Sequence, residues 1–268
     1  MVWREPAVPT QPSVLDTKSR TEVLMLYEWT TVFGYMGEFL QAAWLALEIT
    51  FLAFMLAVVL GILAALGRNS RLKVLRLVAG MYVETIRNTP VLLQVFVAYF
   101  AVPSLGIHLN AFTAGTIALG VNVGAYLAEV FRAGISSVPK GQLEAAGILG
   151  LNQGQVFLSV VFPQALRNVY PAVINNLIQI LLGTSLLSAI AVPELTGTAV
   201  TINARTLIFV QVFTVALAIY LVLSNLLSYA GVLIGRRAFK PALVVPRSAF
   251  RQSLTFRRAT SGTEVGTS

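Results

Sequence analysis

Of the 268 residues, 56% are hydrophobic and only 11% are charged, and mean hydropathy is +0.77. Soluble domains carry about 25% charged residues, so a water-soluble globular domain is excluded and lipid is the expected solvent. Cysteine is absent, which excludes disulfides and thiolate metal sites, and the placement of the basic residues accounts for the formal charge of +8.

In chain order, the first twenty residues carry Pro6, Pro9 and Pro12 among Ser and Thr, with no apolar core and cleavage site, and read as a flexible tail. Residues 23–38, VLMLYEWTTVFGYMGE, mix aromatics with isolated acids as an interfacial helix does. Five stretches then have the length and apolarity to span, since ~20 helical residues cross the hydrocarbon core: 39–67, 77–103, 111–132, 169–192 and 207–235. The first carries Ala53, Ala57, Gly61 and Ala65 at four-residue spacing, and the third carries Gly120, Gly124 and Ala128. Small residues so spaced let helices approach closely in lipid; packing within one bundle is the simpler use. The expected fold is an all-α membrane bundle of about five transmembrane helices over residues 39–236. It is flanked by an extracytoplasmic segment, 1–38, and a basic tail, 237–268, whose Ser, Thr and Arg content reads as disorder.

Five crossings place Arg68, Arg71, Lys73, Arg76, Arg132, Lys140 and the basic tail on one side, thirteen basic residues against four on the other. The positive-inside rule then puts the N-terminus outside and the C-terminus in the cytoplasm. The basic excess is a topology signal and predicts no nucleic-acid partner.

Polar residues inside spans are the next signal. At 100° per residue from Asn175, Gln179 falls at 40°, Gly183 at 80° and Asn176 at 100°. These amides share a face, either bridging helices or lining a polar pathway. Thr184 and Ser185 follow Gly183, which is placed to shift the helical phase. Asn122, between Gly120 and Gly124, fits an interhelical hydrogen bond and a pathway wall alike. Glu84 with Arg87, and Glu129 with Arg132, read as local i,i+3 ion pairs. His108, the only histidine, lies in a loop and reads as a solvated side chain.

No Gly-Lys dipeptide occurs, so the backbone cradle and lysine of a P-loop are missing. Neither a Cys/His cluster nor a Ser-His-Asp set is available. The chain is expected to be no enzyme and to carry no cofactor or metal; energy for any work must come from a partner.

Between the third and fourth spans, Pro139 and KGQLEAAGIL open a short helix, Gly150 permits a sharp turn, and LNQGQVFLSVVF starts a second helix that Pro163 interrupts. A rigid knob outside the bilayer and an amphipathic connector lying on it both fit these features. The order Glu144-Ala145-Ala146, three residues, Gly150, nine residues, Val160-x-Phe162-Pro163 resembles the EAA signature of bacterial ABC importer permeases, with Val160 and Phe162 where that family has Ile and Leu. ETIRNTPVLLQVFVAYF, with Arg87, Thr89 and Pro90, is similar to the Arg-x-Thr-Pro segment of the polar amino acid branch. AYLAEVFRAGISSVPKGQLEAAGILGL, with Glu129 and Arg132, and GTSLLSAIAVPEL resemble it further. Where the branch reads Leu-Lys-Asp-Thr-Ser-Leu, this chain has Leu182 and Gly183 in place of the two charges.

The resemblance implies a permease subunit of an importer for polar amino acids in the bacterial inner membrane. It implies a cytoplasmic coupling helix over 140–154, with Glu144, Ala145, Ala146, Gly147 and Gly150 meeting an ABC ATPase subunit. It further implies a second permease subunit and an extracytoplasmic solute-binding protein docking on the loops at 103–110 and 193–206. Asn122, Asn175, Asn176, Gln179, Thr184 and Ser185 are the candidate pathway residues. The rival reading is a passive channel or receptor-associated subunit without an ATPase.

Overall fold

The structure is a computed structural model that describes residues 28–239. The N-terminal tail, the start of the interfacial segment at 23–27 and the tail beyond 239 lie outside the described residues. By its internal contacts the chain divides into Met1–Tyr229 and Ala230–Ser268; the described part of the second unit continues the last helix.

A short helix over residues 28–34 leads into α1, Met36–Arg68. Then come α2, Lys73–Arg87, and α3, Val91–Phe96, which runs on through a π-helical turn at Val97–Ala101 and a 3₁₀ turn at Val102–Leu105. Helix α4 is Ala111–Ser136, α5 Lys140–Ile148 and α6 Gln153–Val156. A π-helical turn, Phe157–Val161, joins α6 to α7, Phe162–Gly183, which tightens into a 3₁₀ helix at Thr184–Ile190. Helices α8, Leu195–Thr206, and α9, Phe209–Ala238, complete the chain, and no strand occurs among the described residues.

Four helical runs, Met36–Arg68, Ala111–Ser136, Gln153–Ile190 and Phe209–Ala238, are long and apolar enough to cross a membrane, and a fifth crossing counts only if the bent pair α2–α3 is one span. The expected span 77–103 is therefore not one straight helix: it bends by 109° between Arg87 and Val91. Pro90 has no N–H to donate and pushes Thr89 out of the helical region, so the ladder stops there. Pro163, by contrast, interrupts nothing. It stands in the first turn of α7, just after the π-helical turn, where its missing N–H costs little.

The two small-residue seams meet each other. A Cβ on Gly120 would lie 3.0 Å from the Ala53 carbonyl oxygen, one on Gly124 3.3 Å from that of Ala57, and one on Gly61 3.2 Å from that of Gly124. Between helices in lipid, association rests on van der Waals packing, and this backbone approach maximises it. Helix α4 is consequently the most buried of the long helices, and its Ala118, Leu119, Val123 and Leu127 form one core with Ile49, Ala53, Val95, Ile180 and Leu187. A second cluster joins Phe39 and Ala43 of α1 to Leu195, Ala199 and Ile202 of α8 and Val212 and Val215 of α9.

Candidate functional site

The 140–150 segment stands out from the bundle. In α5 only Ala146 is buried, while Ile148 and Leu149 at its tip are 88% and 78% exposed. Gly150 ends the helix with φ +77°, a conformation that side chains with a Cβ disfavour. The amides of Gly150 and Leu151 close the turn on the carbonyls of Gly147 and Ala146, at 3.0 and 3.2 Å. A Cβ on Gly141 or Gly147 would meet nothing within 4 Å, so packing inside this chain does not require their smallness. Glu144 and Ala145 are exposed beside them.

The base of this knob is held firmly. The Gln164 side-chain amide donates to Gln142 Oε1 at 2.7 Å and to the Val160 carbonyl at 2.9 Å, and Asn168 donates to Ser137 Oγ at 2.8 Å. On α4, a Cβ on Gly134 would fall 2.1 Å from Val169 Cγ1 and 3.3 Å from the Ala165 carbonyl oxygen, so α7 packs directly on the α4 backbone at this glycine. Asn152 and Gln155 form a reciprocal capping box that starts the return to the bundle.

Charges collect where α1, α2 and α4 approach one another. Glu129 pairs with Arg132 at 2.8 Å, as the spacing predicts, and also with Arg68 at 2.7 Å. Glu84 does not pair with Arg87. Its partner is Arg68 at 3.5 Å, while Arg87 sits over the Tyr126 ring, 5.3 Å from its centroid. The local i,i+3 pairing loses because Arg68 stands between two carboxylates, and Tyr126 offers Arg87 a cation–π surface.

The break at Pro90 leaves carbonyls at the end of α2 without helical partners. Side chains of the motif fill the gap. Asn88 donates to the Glu84 carbonyl at 2.7 Å, Thr89 to the Thr85 carbonyl at 2.9 Å, and Gln94 to the carbonyls of Ile86 and Thr89 at 2.9 and 3.2 Å. Gln94 Oε1 in turn accepts from Asn122 at 3.1 Å. Thr89 and Pro90 of the motif thus lie at a sealed helix break, and Asn122 pins it to α4. A recess of ≈ 390 Å³ opens beside the break, with Thr85, Thr89 and Gln94 among its walls.

The remaining pathway candidates separate. Asn175 and Gln179 are both exposed on one face of α7, whereas Asn176 is buried and donates to the Ala172 carbonyl at 2.8 Å. Thr184 is fully buried, with its hydroxyl on the Leu181 carbonyl at 2.7 Å, and the Ser185 hydroxyl bonds to the Leu182 carbonyl at 2.7 Å. Among the described residues, no hydrogen bond joins Asn122 to the α7 amides.

Two acidic residues escaped the sequence reading. Glu48 lies within α1, exposed and without a hydrogen bond or ion pair among the described residues, on a recess of ≈ 620 Å³ that Trp44, Phe51, Leu177 and Leu227 also line. Its signal was present as the one carboxylate in an apolar run, the situation that marks function in membrane helices. Glu194, fully buried at the start of α8, caps that helix by accepting from the amides of Thr196 and Gly197 at 3.0 and 2.8 Å, and accepts a hydrogen bond from Tyr220 of α9. Burial raises its pKa above the usual 4.5, against the lowering effect of these three donors.

Comparison with known proteins adds a separate observation. The profile of the family described as "Binding-protein-dependent transport system inner membrane component" matches residues 57–240. The L-cystine transport system permease protein TcyB of Bacillus subtilis is 38% identical over 192 residues, 71% of this chain and 82% of that protein. The probable glutamine ABC transporter permease protein GlnP of the same organism is 36% identical over 204 residues, 74% and 94% of the two chains. A crystal structure of an amino acid ABC transporter with histidines superposes with a TM-score of 0.74 at 36% identity, covering 78% of this chain and 98% of that one.

Proposed function

Because the chain belongs to the family of binding-protein-dependent transport system inner membrane components, and is a permease subunit of an ABC amino acid importer, we propose that its cargo is a polar amino acid or a close derivative and that α5 is the element that meets the ATPase. The observation carrying the second point is the knob itself. An isolated helix with Ile148 and Leu149 exposed at its tip, and glycines that nothing in this chain needs, is built to be covered from outside. Glu144, Ala145, Gly147 and Gly150 form the docking face; Ala146, expected on it, is buried against this chain and holds the knob in place instead.

The subunit is a multi-pass inner-membrane protein. In the proposed orientation the N-terminus faces outward, and α5 and the basic C-terminus face the cytoplasm, which the distribution of Lys and Arg supports. A second permease subunit, identical or related, completes the pathway, and an extracytoplasmic binding protein delivers cargo to the opposite end. Asn175 and Gln179, exposed together on α7, are the proposed pathway wall. Asn122 serves the helix break through Gln94 and not that wall, while Asn176, Thr184 and Ser185 satisfy backbone carbonyls and hold α7 in shape.

Co-purification in mild detergent tests the reading. The intact importer should bring a P-loop ATPase with this chain, and Glu144→Lys should release it. A chain that purifies without an ATPase and passes amino acids down their gradient in liposomes would refute the proposal. For the cargo, the partner binding protein is screened by thermal shift against amino acids, L-cystine and L-glutamine first; at 100-fold the Kd a ligand stabilises by about 2.7 kcal/mol. No shift with any amino acid would remove the cargo class while leaving the docking result standing.

A further inference from the structure

Covalently, the knob is joined to α7 by a soft route. After Ile148 the chain passes a left-handed Gly150, an exposed Asn152, the four-residue α6 and the π-helical turn Phe157–Val161 before α7 begins. From Gln153 the run into α7 is continuously helical; the left-handed turn at Gly150 and the exposed residues up to Asn152 are where backbone angles can change at low cost. A push on α5 conducted along the peptide alone would be absorbed in this stretch.

Side chains bypass it. Gln164 and Asn168 are four apart on α7, hence on one face, and that face grips the knob at two points: Gln142 within α5 and Ser137 before it, at 2.7 and 2.8 Å. The second N–H of Gln164 is committed to the Val160 carbonyl in the π-helical turn, so one amide ties knob, turn and α7 together. Ser137 is anchored in its turn to the Gly134 carbonyl at 2.7 Å, beside the Gly134–Val169 approach. Val138, buried between the two grip points, closes the joint.

We propose that Gln142–Gln164 and Ser137–Asn168 form a clasp that transmits displacement of α5 into α7, the helix carrying Asn175 and Gln179; this rests on the reading of α5 as the ATPase-docking element. Gln164 and Asn168 are positioning residues: they touch neither cargo nor nucleotide. When the ATPase subunits close on ATP, α7 follows α5 as a rigid lever about the Gly134–Val169 contact. Without the clasp, α5 moves and the soft stretch takes up the motion.

The chain has no cysteine, so two labels can be placed on it without background from this subunit, in an importer whose other subunits are made cysteine-free. The full importer carries spin labels at Leu63→Cys on α1 and Leu166→Cys on α7, both on exposed positions. Their distance is measured without nucleotide and after vanadate trapping with ATP. The parent should show an ATP-dependent shift in the distance distribution. In Gln164→Ala/Asn168→Ala that shift should fall to less than half while the ATPase still co-purifies and the thermal midpoint of the complex is retained. Gln142→Lys should reproduce the loss, and Gln142→Lys/Gln164→Glu should restore the shift, a rescue that a merely stabilising role would not produce in this readout. A full shift in the Ala/Ala variant, an absent shift in the parent, or loss of the ATPase from the clasp variants overturns the proposal. The docking reading fails separately, if Glu144→Lys leaves the ATPase bound.

Discussion

Gly134→Ala should destabilise the subunit, and Val169→Ala should rescue it. The added Cβ would sit 2.1 Å from Val169 Cγ1, where ordinary contact begins at 3.4 Å, so roughly 1.3 Å of separation has to be created. Val169 cannot rotate away cheaply, because a β-branched side chain in a helix is held to one rotamer. The Ala165 carbonyl oxygen, 3.3 Å from the same Cβ, limits sliding of α7. Overpacking of this kind costs about 1–3 kcal/mol. At about 2 kcal/mol, the thermal midpoint in detergent falls by roughly 4–8 °C for a chain of this size. Val169→Ala alone leaves a void and costs roughly 1–2 kcal/mol. In the double variant the new methyl occupies part of the space that Cγ1 vacated, so it should melt above Gly134→Ala by about 2–4 °C, a rescue of about 1 kcal/mol and, against the summed single costs, a coupling of about 2–3 kcal/mol. The assay is a double-mutant cycle of thermal midpoints at one scan rate and one detergent concentration. If Gly134→Ala melts like the parent, or Val169→Ala worsens it additively, the close approach beneath the knob is wrong.

Other outcomes follow from the same geometry. Gln94→Leu leaves the Ile86 and Thr89 carbonyls and Asn122 without their partner, and should lower stability by about 1–3 kcal/mol per group left unpaired away from water; a midpoint equal to the parent's would show that the break is not sealed this way. Glu129→Gln sets Arg68 against Arg132 with no compensating charge between them, so it should destabilise more than Glu84→Gln, whose partner is farther and whose side chain is 64% exposed; thermal midpoints of the two variants rank them. Glu194 has a raised pKa in the folded chain, so its contribution is fully present below the unfolded value near 4.5 and is lost as pH rises through the folded value. The midpoint of the parent should therefore fall relative to Glu194→Gln across that rise, and a constant difference between them would contradict the burial argument.

Much of this was legible in the chain as written. Four-residue spacing of small residues announced the close helix seams, because that spacing repeats on one helical face whatever lies opposite. Gly150 announced the turn, because few other residues tolerate its backbone angles. The apolar runs of four of the five spans were likewise a compositional matter. The bend at Pro90 was missed, since proline is tolerated within membrane helices and only its surroundings decide between a kink and a break. The partner of Glu84 was missed for a related reason: Arg68 lies sixteen residues away, beyond any helical repeat. Sequence pattern assigned residues to faces, spans and signatures, because these depend on neighbours along the chain. Which seam met which, which carboxylate held Arg68, which amide clasped the knob and which carbonyls Gln94 sealed were decided only when distant segments packed, because hydrogen bonds and ion pairs act over a few ångströms and take whatever partner folding brings within reach.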